Sequence, residues 1–140
     1  MIHYNPSAAK AVTSHHTIEV DFQSDGTIEI WGRSYAIKEF HFHEPSERQL
    51  NGRSHPLEAH LVPRDEDEAG HLVVLAILMD LGVKMAPLGA AWQRIPSEKH
   101  EQVRNLLFNP KDLLPKDLHH YASEGSLTTP LCTEGGTGLC

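Results

Sequence analysis

Tyr35-Ala36-Ile37-Lys38-Glu39-Phe40-His41-Phe42-His43-Glu44 is the stretch on which the fold turns. It reads as a strand. In its second half, the two-residue period of extended backbone sets the imidazoles of His41 and His43 on one face and the rings of Phe40 and Phe42 on the other. Upstream, Ile18, Val20 and Phe22 alternate with Thr17, Glu19 and Asp21, the pattern of a half-buried antiparallel strand. Ser24-Asp25-Gly26 supplies a turn, Thr27 to Trp31 a further strand and Gly32-Arg33-Ser34 another turn, so the first half of the chain is expected to be a β-meander. Downstream, Leu57-Glu58-Ala59-His60-Leu61-Val62 alternates so that Glu58, His60 and Val62 share a face. The acidic run Asp65-Glu66-Asp67-Glu68 marks a solvated hairpin loop, and Leu72 to Met79 has the continuous apolar character of a strand buried on both faces. A short helix is expected from Pro96-Ser97 to about Phe108, with Ser97 as N-cap, Glu98 and Glu101 near its start and an apolar stripe of Val103, Leu106 and Leu107. Pro110 ends it. Lys111 to Glu124 reads as loop, and the segment from Gly125, which holds Gly135, Gly136 and Gly138, as an irregular, edge-like end. The expected class is mainly β: an open, twisted, largely antiparallel sheet with short peripheral helices.

A chain of 140 residues has room for one domain and a sizeable core, so residues 1–140 are expected to form a single unit. Lys+Arg 12 against Asp+Glu 19 gives a net charge of -7, which argues against nucleic acid as a partner. A hydrophobic content of 39% with 22% charged residues is that of a globular chain rather than a disordered one. The first residues show neither a basic n-region nor an apolar h-region, so no secretion signal is read, and the longest apolar run falls well short of the roughly 20 residues of a membrane span. Cys132 and Cys140 lie too close in sequence to say anything of compartment or bridge. Oligomeric state is not legible. The conspicuous count is 11 His, which calls for a use in metal binding, pH sensing or proton transfer.

By itself His41-x-His43 is weak evidence, because a His-rich chain produces such pairs readily. His60 changes that reading by adding a third candidate ligand on the next strand. Three neutral imidazoles around one Zn²⁺ leave the fourth tetrahedral position open to water, the arrangement of a catalytic rather than a structural site. Glu58 could accept the second N–H of His60 and fix its tautomer, although alone it reads equally well as a surface carboxylate.

Phe40-His41-Phe42-His43-Glu44-Pro45-Ser46-Glu47, Leu57-Glu58-Ala59-His60-Leu61-Val62 and Gly125-Ser126-Leu127-Thr128-Thr129-Pro130, in that order, resemble the alpha-class carbonic anhydrases of the bacterial branch. Weaker similarity runs through Tyr4-Asn5, His16 to Val20 and Asp112 to Asp117. The resemblance implies His41, His43 and His60 as zinc ligands, with Glu39 accepting the second N–H of His41 as Glu58 is read to do for His60. Glu39 stands where the family usually has Gln. It implies Thr128 as the gatekeeping hydroxyl, with Glu47 taking its proton, which is sound chemistry because a hydroxyl accepts reliably only when its own proton is committed elsewhere. Val62, Val74, Leu127 and Thr129 resemble the substrate wall, and His16 the proton shuttle, for which an ordinary pKa near 6.5 is suited. The implied activity is zinc-dependent, reversible hydration of carbon dioxide to bicarbonate. The implied location is periplasmic or secreted, or cytoplasmic if the chain is made as given.

Departures from the family pattern are Arg48 where His is common, Leu131 for a second proline, and Gly136 and Gly138 where an apolar residue and a tryptophan stand, which is expected to leave the pocket half-built. Cys132 matches a disulfide cysteine whose partner would lie before Met1, and the sequence reads as truncated at both ends, without the backbone acceptor for one ligand histidine. A zinc-binding but catalytically weak or inactive relative is therefore the alternative. A cupin is a distant one: His41, His43 and Glu47 fit its first motif, but Trp92 occupies the position of its last histidine.

Overall fold

The computed structural model describes residues 2–3, 7–13, 17–22, 26–65, 73–82, 89, 92–93, 102–128 and 134–140. Its strands are β1 (Ile2–His3), β2 (Ser7–Thr13), β3 (Ile18–Phe22), β4 (Thr27–Ile30), β5 (Arg33–His43), β6 (Gln49–Leu50), β7 (Arg53–Ser54), β8 (Leu57–Asp65), β9 (Val73–Met79), β10 (Gln102–Phe108), β11 (Ala122–Ser126) and β12 (Glu134–Leu139). Ten of them form one sheet, β10-β2-β3-β5-β8-β9-β12-β11, with β4 pairing β1 and β5 beside that path, while β6 and β7 form a small hairpin. All pairs are antiparallel except β12 with β9. The mainly β, open and largely antiparallel sheet read from the sequence is thus what forms.

The first half is not a simple meander. The long β5 meets β4 along Arg33–Ala36 and β3 along Glu39–His41, so two strands share one of its edges while β8 takes the other. Trp31 and Gly32, at φ 51 and 78, make the turn into β5, a residue earlier than the Gly32-Arg33-Ser34 reading and with the left-handed geometry of a tight hairpin. Between Ile37 and Glu39 the register of β5 against β8 shifts by one residue. That bulge reverses the parity of the strand: Tyr35, Ile37, Phe40 and Phe42 all enter one core cluster, leaving Glu39, His41 and His43 for the other face.

Three other readings are corrected. Residues 102–108 are not helical; they form β10 on the free edge of β2, with a register shift between Val103 and Leu106. The extra residue of a bulge stretches the apolar spacing to three, which in sequence imitates a helical stripe. Ser97 and its proposed cap lie outside the described residues, as does the loop at 66–70. Residues 111–124 are not all loop, since Pro110–Leu113 is a 3-10 turn and β11 begins at Ala122. The edge-like reading of the stretch from Gly125 holds only for Gly125 and Ser126, on the outermost strand β11; β12 lies inside the sheet between β9 and β11.

The core lies behind the sheet, where Val20, Phe22, Phe40, Ala59, Leu61, Val73 and Leu139 are buried. Phe40 is its centre, with Phe22 at 5.6 Å and Phe42 edge-on at 5.4 Å between ring centroids. β9 departs from the fully buried reading, because Leu75, Ile77 and Met79 pack on the cluster yet stay half-buried. They line an apolar groove of about 880 Å³, at whose rim Trp31, Leu81, Leu118 and Tyr121 are exposed. Among the described residues no helix is long and apolar enough to cross a membrane.

Candidate metal centre

The register of three strands assembles the front of the sheet. His41 lies opposite His60, and His43 opposite Glu58, in the β5·β8 ladder. Directly opposed residues of an antiparallel pair point to the same side, so the three imidazoles converge. Their centroids are 5.0 Å apart for His41 and His43, 5.2 Å for His41 and His60, and 4.6 Å for His43 and His60. One nitrogen from each lies within 4.8 Å of the others, close enough to share one ion.

Each imidazole has its other nitrogen turned to a carboxylate. His60 Nε2 shares a hydrogen bond of 2.8 Å with Glu58 Oε1, His41 Nδ1 is 3.4 Å from Glu39 Oε1 and His43 Nδ1 is 3.5 Å from Glu47 Oε1. The Nε2 atoms of His41 and His43 are buried and have no hydrogen-bond partner among the described residues. Buried, unpaired polar atoms are costly, and two of them aimed at one point beside a third imidazole fit a metal ion. The site therefore suits the metal inferred from the sequence, with His60 offering Nδ1 once Glu58 has engaged Nε2.

The supports are local. Thr17 Oγ1 donates to Phe42 O at 2.5 Å and accepts from Phe42 N at 3.2 Å, tying the backbone between the two strand ligands where the β3 ladder has ended. Ser46, buried, joins the loop after β5 to residue 55: its N donates to His55 O at 2.9 Å, its Oγ donates to Arg48 O at 2.7 Å, and His55 N donates back to that Oγ at 2.8 Å. That loop delivers Glu47, whose Oε2 accepts from Thr128 Oγ1 at 2.7 Å across 81 residues of sequence.

Glu58 is wholly buried, which alone would raise its pKa; hydrogen bonds from His60 and from the backbone of Arg48 and Glu47 override this and hold it below the usual carboxylate range. Burial and then the neighbouring His60 push the His43 pKa down, against the pull of Glu47. Both shifts favour a neutral imidazole facing an ionised partner, the state a metal requires. The His43 shift carries a sign for stability. The folded chain holds His43 neutral where the unfolded chain would protonate it, so the unfolded state binds more protons as the pH falls through about 6.5. Thermal melting of the metal-free protein should accordingly shift to lower temperature between about pH 7 and pH 5, and less so in His43→Gln. A melting temperature that rises on acidification would contradict this.

Of the other residues read from sequence, Val62 is buried in the β8 row of Glu58 and His60, and Val74 alternates with Ala76, which lies opposite His60. Leu127 is half-buried beside Thr128. His16, Thr129 and Cys132 lie outside the described residues, and Cys140 is a free thiol. Sequence reasoning passed over Glu19 and Asp21, which with Glu39 place three carboxylates within 4.8 Å beside the histidines. Burial, then Glu39 and Asp21, raise the Glu19 pKa. Their signal was present in the polar row Thr17, Glu19, Asp21, whose Glu19 falls opposite His41.

A largely antiparallel sheet carrying three convergent, carboxylate-backed imidazoles defines a metal-site protein of the β class. The chain belongs to the carbonic anhydrase family: residues 1–137 match the family described as eukaryotic-type carbonic anhydrase. It is 42% identical over 139 residues to a carbonic anhydrase of Neisseria gonorrhoeae, covering 99% of this chain and 54% of that one. A carbonic anhydrase of Pectobacterium atrosepticum is 36% identical over 134 residues, covering 94% and 54%. The alpha-carbonic anhydrase of Thermovibrio ammonificans, solved with the inhibitor sulfanilamide, superposes with a TM-score of 0.91 at 34% identity over 99% of this chain and 61% of its own. The chain spans about half the length of the curated relatives it matches.

Proposed function

We propose that the site holds one zinc ion through His41 Nε2, His43 Nε2 and His60 Nδ1, and that the protein hydrates carbon dioxide reversibly to bicarbonate. The observation that carries this is the pair of buried Nε2 atoms, without a hydrogen-bond partner among the described residues, facing a third imidazole already fixed by Glu58. Zinc, when bound, supplies a Lewis acid that makes water nucleophilic near neutral pH, the pKa of such water in carbonic anhydrases being about 7. The remaining work falls to side chains of this chain. Glu47 engages the Thr128 proton, so that the Thr128 oxygen is left to accept from the nucleophile and orient it. Val62, Val74 and Leu127 form the apolar side on which carbon dioxide rests, a wall to which the family resemblance adds Thr129. His16 exports the proton.

Atomic absorption on the dialysed protein should find one equivalent of zinc, and His60→Ala should lose most of it. Sulfanilamide should bind the zinc-loaded chain and not the zinc-free one. Iron or manganese at one equivalent, retained in His60→Ala, would instead favour the cupin reading. The exposed apolar groove behind the sheet favours a second reading, in which the site binds zinc without rapid turnover. One equivalent of zinc with a carbon dioxide hydration rate no faster than that of the metal-free chain would support it.

A further inference from the structure

Resting on the zinc reading of the three histidines, we infer that Arg48 is a positioning residue of the metal centre, its guanidinium seated against Gly138 and holding the carboxylate that orients His60. Arg48 reaches both oxygens of Glu58. Its backbone N donates to Oε2 at 2.9 Å, and its Nε lies 3.6 Å from Oε1, the same oxygen that engages His60 Nε2 at 2.8 Å. The far side of the guanidinium is fixed by Nη1 donating to Ser123 Oγ at 3.3 Å. Glu58 is therefore clamped on a loop side and a sheet side, and its orientation decides which nitrogen His60 presents.

The seat is made by an absence of side chain. Gly138 on β12 lies between Val74 of β9 and Ser123 of β11. A Cβ there would fall 2.0 Å from Arg48 Nη2, 2.9 Å from Cζ and 3.0 Å from Nη1. Gly138 is not among the glycines with positive φ, so the backbone does not require glycine at this position; the guanidinium does. This revises the expectation that Gly138 leaves the pocket half-built: the space is filled by Arg48. Because what a new methyl would meet is the tip of a flexible side chain, Gly138→Ala should fold while expelling the guanidinium.

The test is zinc affinity of the full chain, measured by competition with a chromophoric chelator, with circular dichroism to confirm folding. Arg48→Ala and Gly138→Ala should each weaken zinc binding about 10–100-fold, the usual effect of losing an outer-shell partner. Arg48→Lys should recover part of the loss. Arg53→Ala, which removes an exposed guanidinium 3.8 Å from Asp80, should bind zinc like the parent. In a Glu58→Gln background, adding Arg48→Ala should change affinity by less than about twofold, since Arg48 acts through that carboxylate; a merely structural arginine would give additive losses. Parental affinity in either Arg48→Ala or Gly138→Ala, or additivity with Glu58→Gln, would overturn the inference. If Arg48→Ala does not fold, Gly138→Ala decides alone. Failure of the unaltered chain to bind zinc would overturn the zinc reading, and this inference with it.

Discussion

Phe40→Ala is expected to remove about 3–5 kcal/mol of folding free energy, the range for truncating a buried aromatic ring. Phe40 is 1% exposed and sits between Phe22 and Phe42, with Leu61 opposite it on β8. The ring cannot be replaced by collapse of its surroundings, because those neighbours are held at strand spacing by ladder hydrogen bonds, and a dry cavity adds to the lost burial. Small domains are stable by only about 5–15 kcal/mol, so this one change should take a large share of the whole. Leu81→Ser, at a position 91% exposed, should shift stability by no more than about 0.5 kcal/mol. Urea unfolding of the two variants against the parent measures both. A loss below about 1 kcal/mol for Phe40→Ala would mean that the cluster behind the sheet is not the core.

The same residue shows how far the sequence could be read. Strict alternation holds in Phe40-His41-Phe42-His43 and again in Leu57 to Val62, and there both the core face and the ligand face were visible. Alternation fails at Lys38. Extending the period back from His41 would place Ile37 and Tyr35 with the imidazoles, and only the register shift against β8 sends them to the core. A second bulge misled in the opposite direction: it spaced Val103 and Leu106 like a helical stripe on what is β10. Bulges are set by pairing between strands, which local pattern cannot contain. Long-range partners were legible only through the family resemblance. Nothing in the spacing of Glu47 and Thr128 joins them, nor of Arg48 and Gly138, although each pair meets in space. In the sequence Arg48 and Gly138 are two separate departures from the family pattern, and the sheet makes them one accommodation.

On the proposed function, Thr128→Val should lower carbon dioxide hydration by the zinc-loaded protein about 10²-fold while leaving zinc affinity as it was, because misplacing a reacting group by about an ångström costs on that order. Thr128 is not a ligand; its hydroxyl donates to Glu47 Oε2 at 2.7 Å. With its only proton so engaged, the oxygen presents lone pairs and nothing else, and can serve the nucleophile solely as an acceptor. Glu47→Ala removes the partner and frees that proton, so the same oxygen could turn as a donor and hold the nucleophile in the wrong sense. Its loss should approach that of Thr128→Val, while Thr128→Ser, which keeps the hydroxyl, should retain most of the rate. The two positions act as one device, and the double variant Glu47→Ala/Thr128→Val should be hardly slower than the worse single one, as non-additivity requires of groups that work in series. Stopped-flow hydration rates on the four variants and the parent decide it. Losses that multiply would show that Glu47 acts elsewhere, most directly through His43 Nδ1, 3.5 Å from its other oxygen.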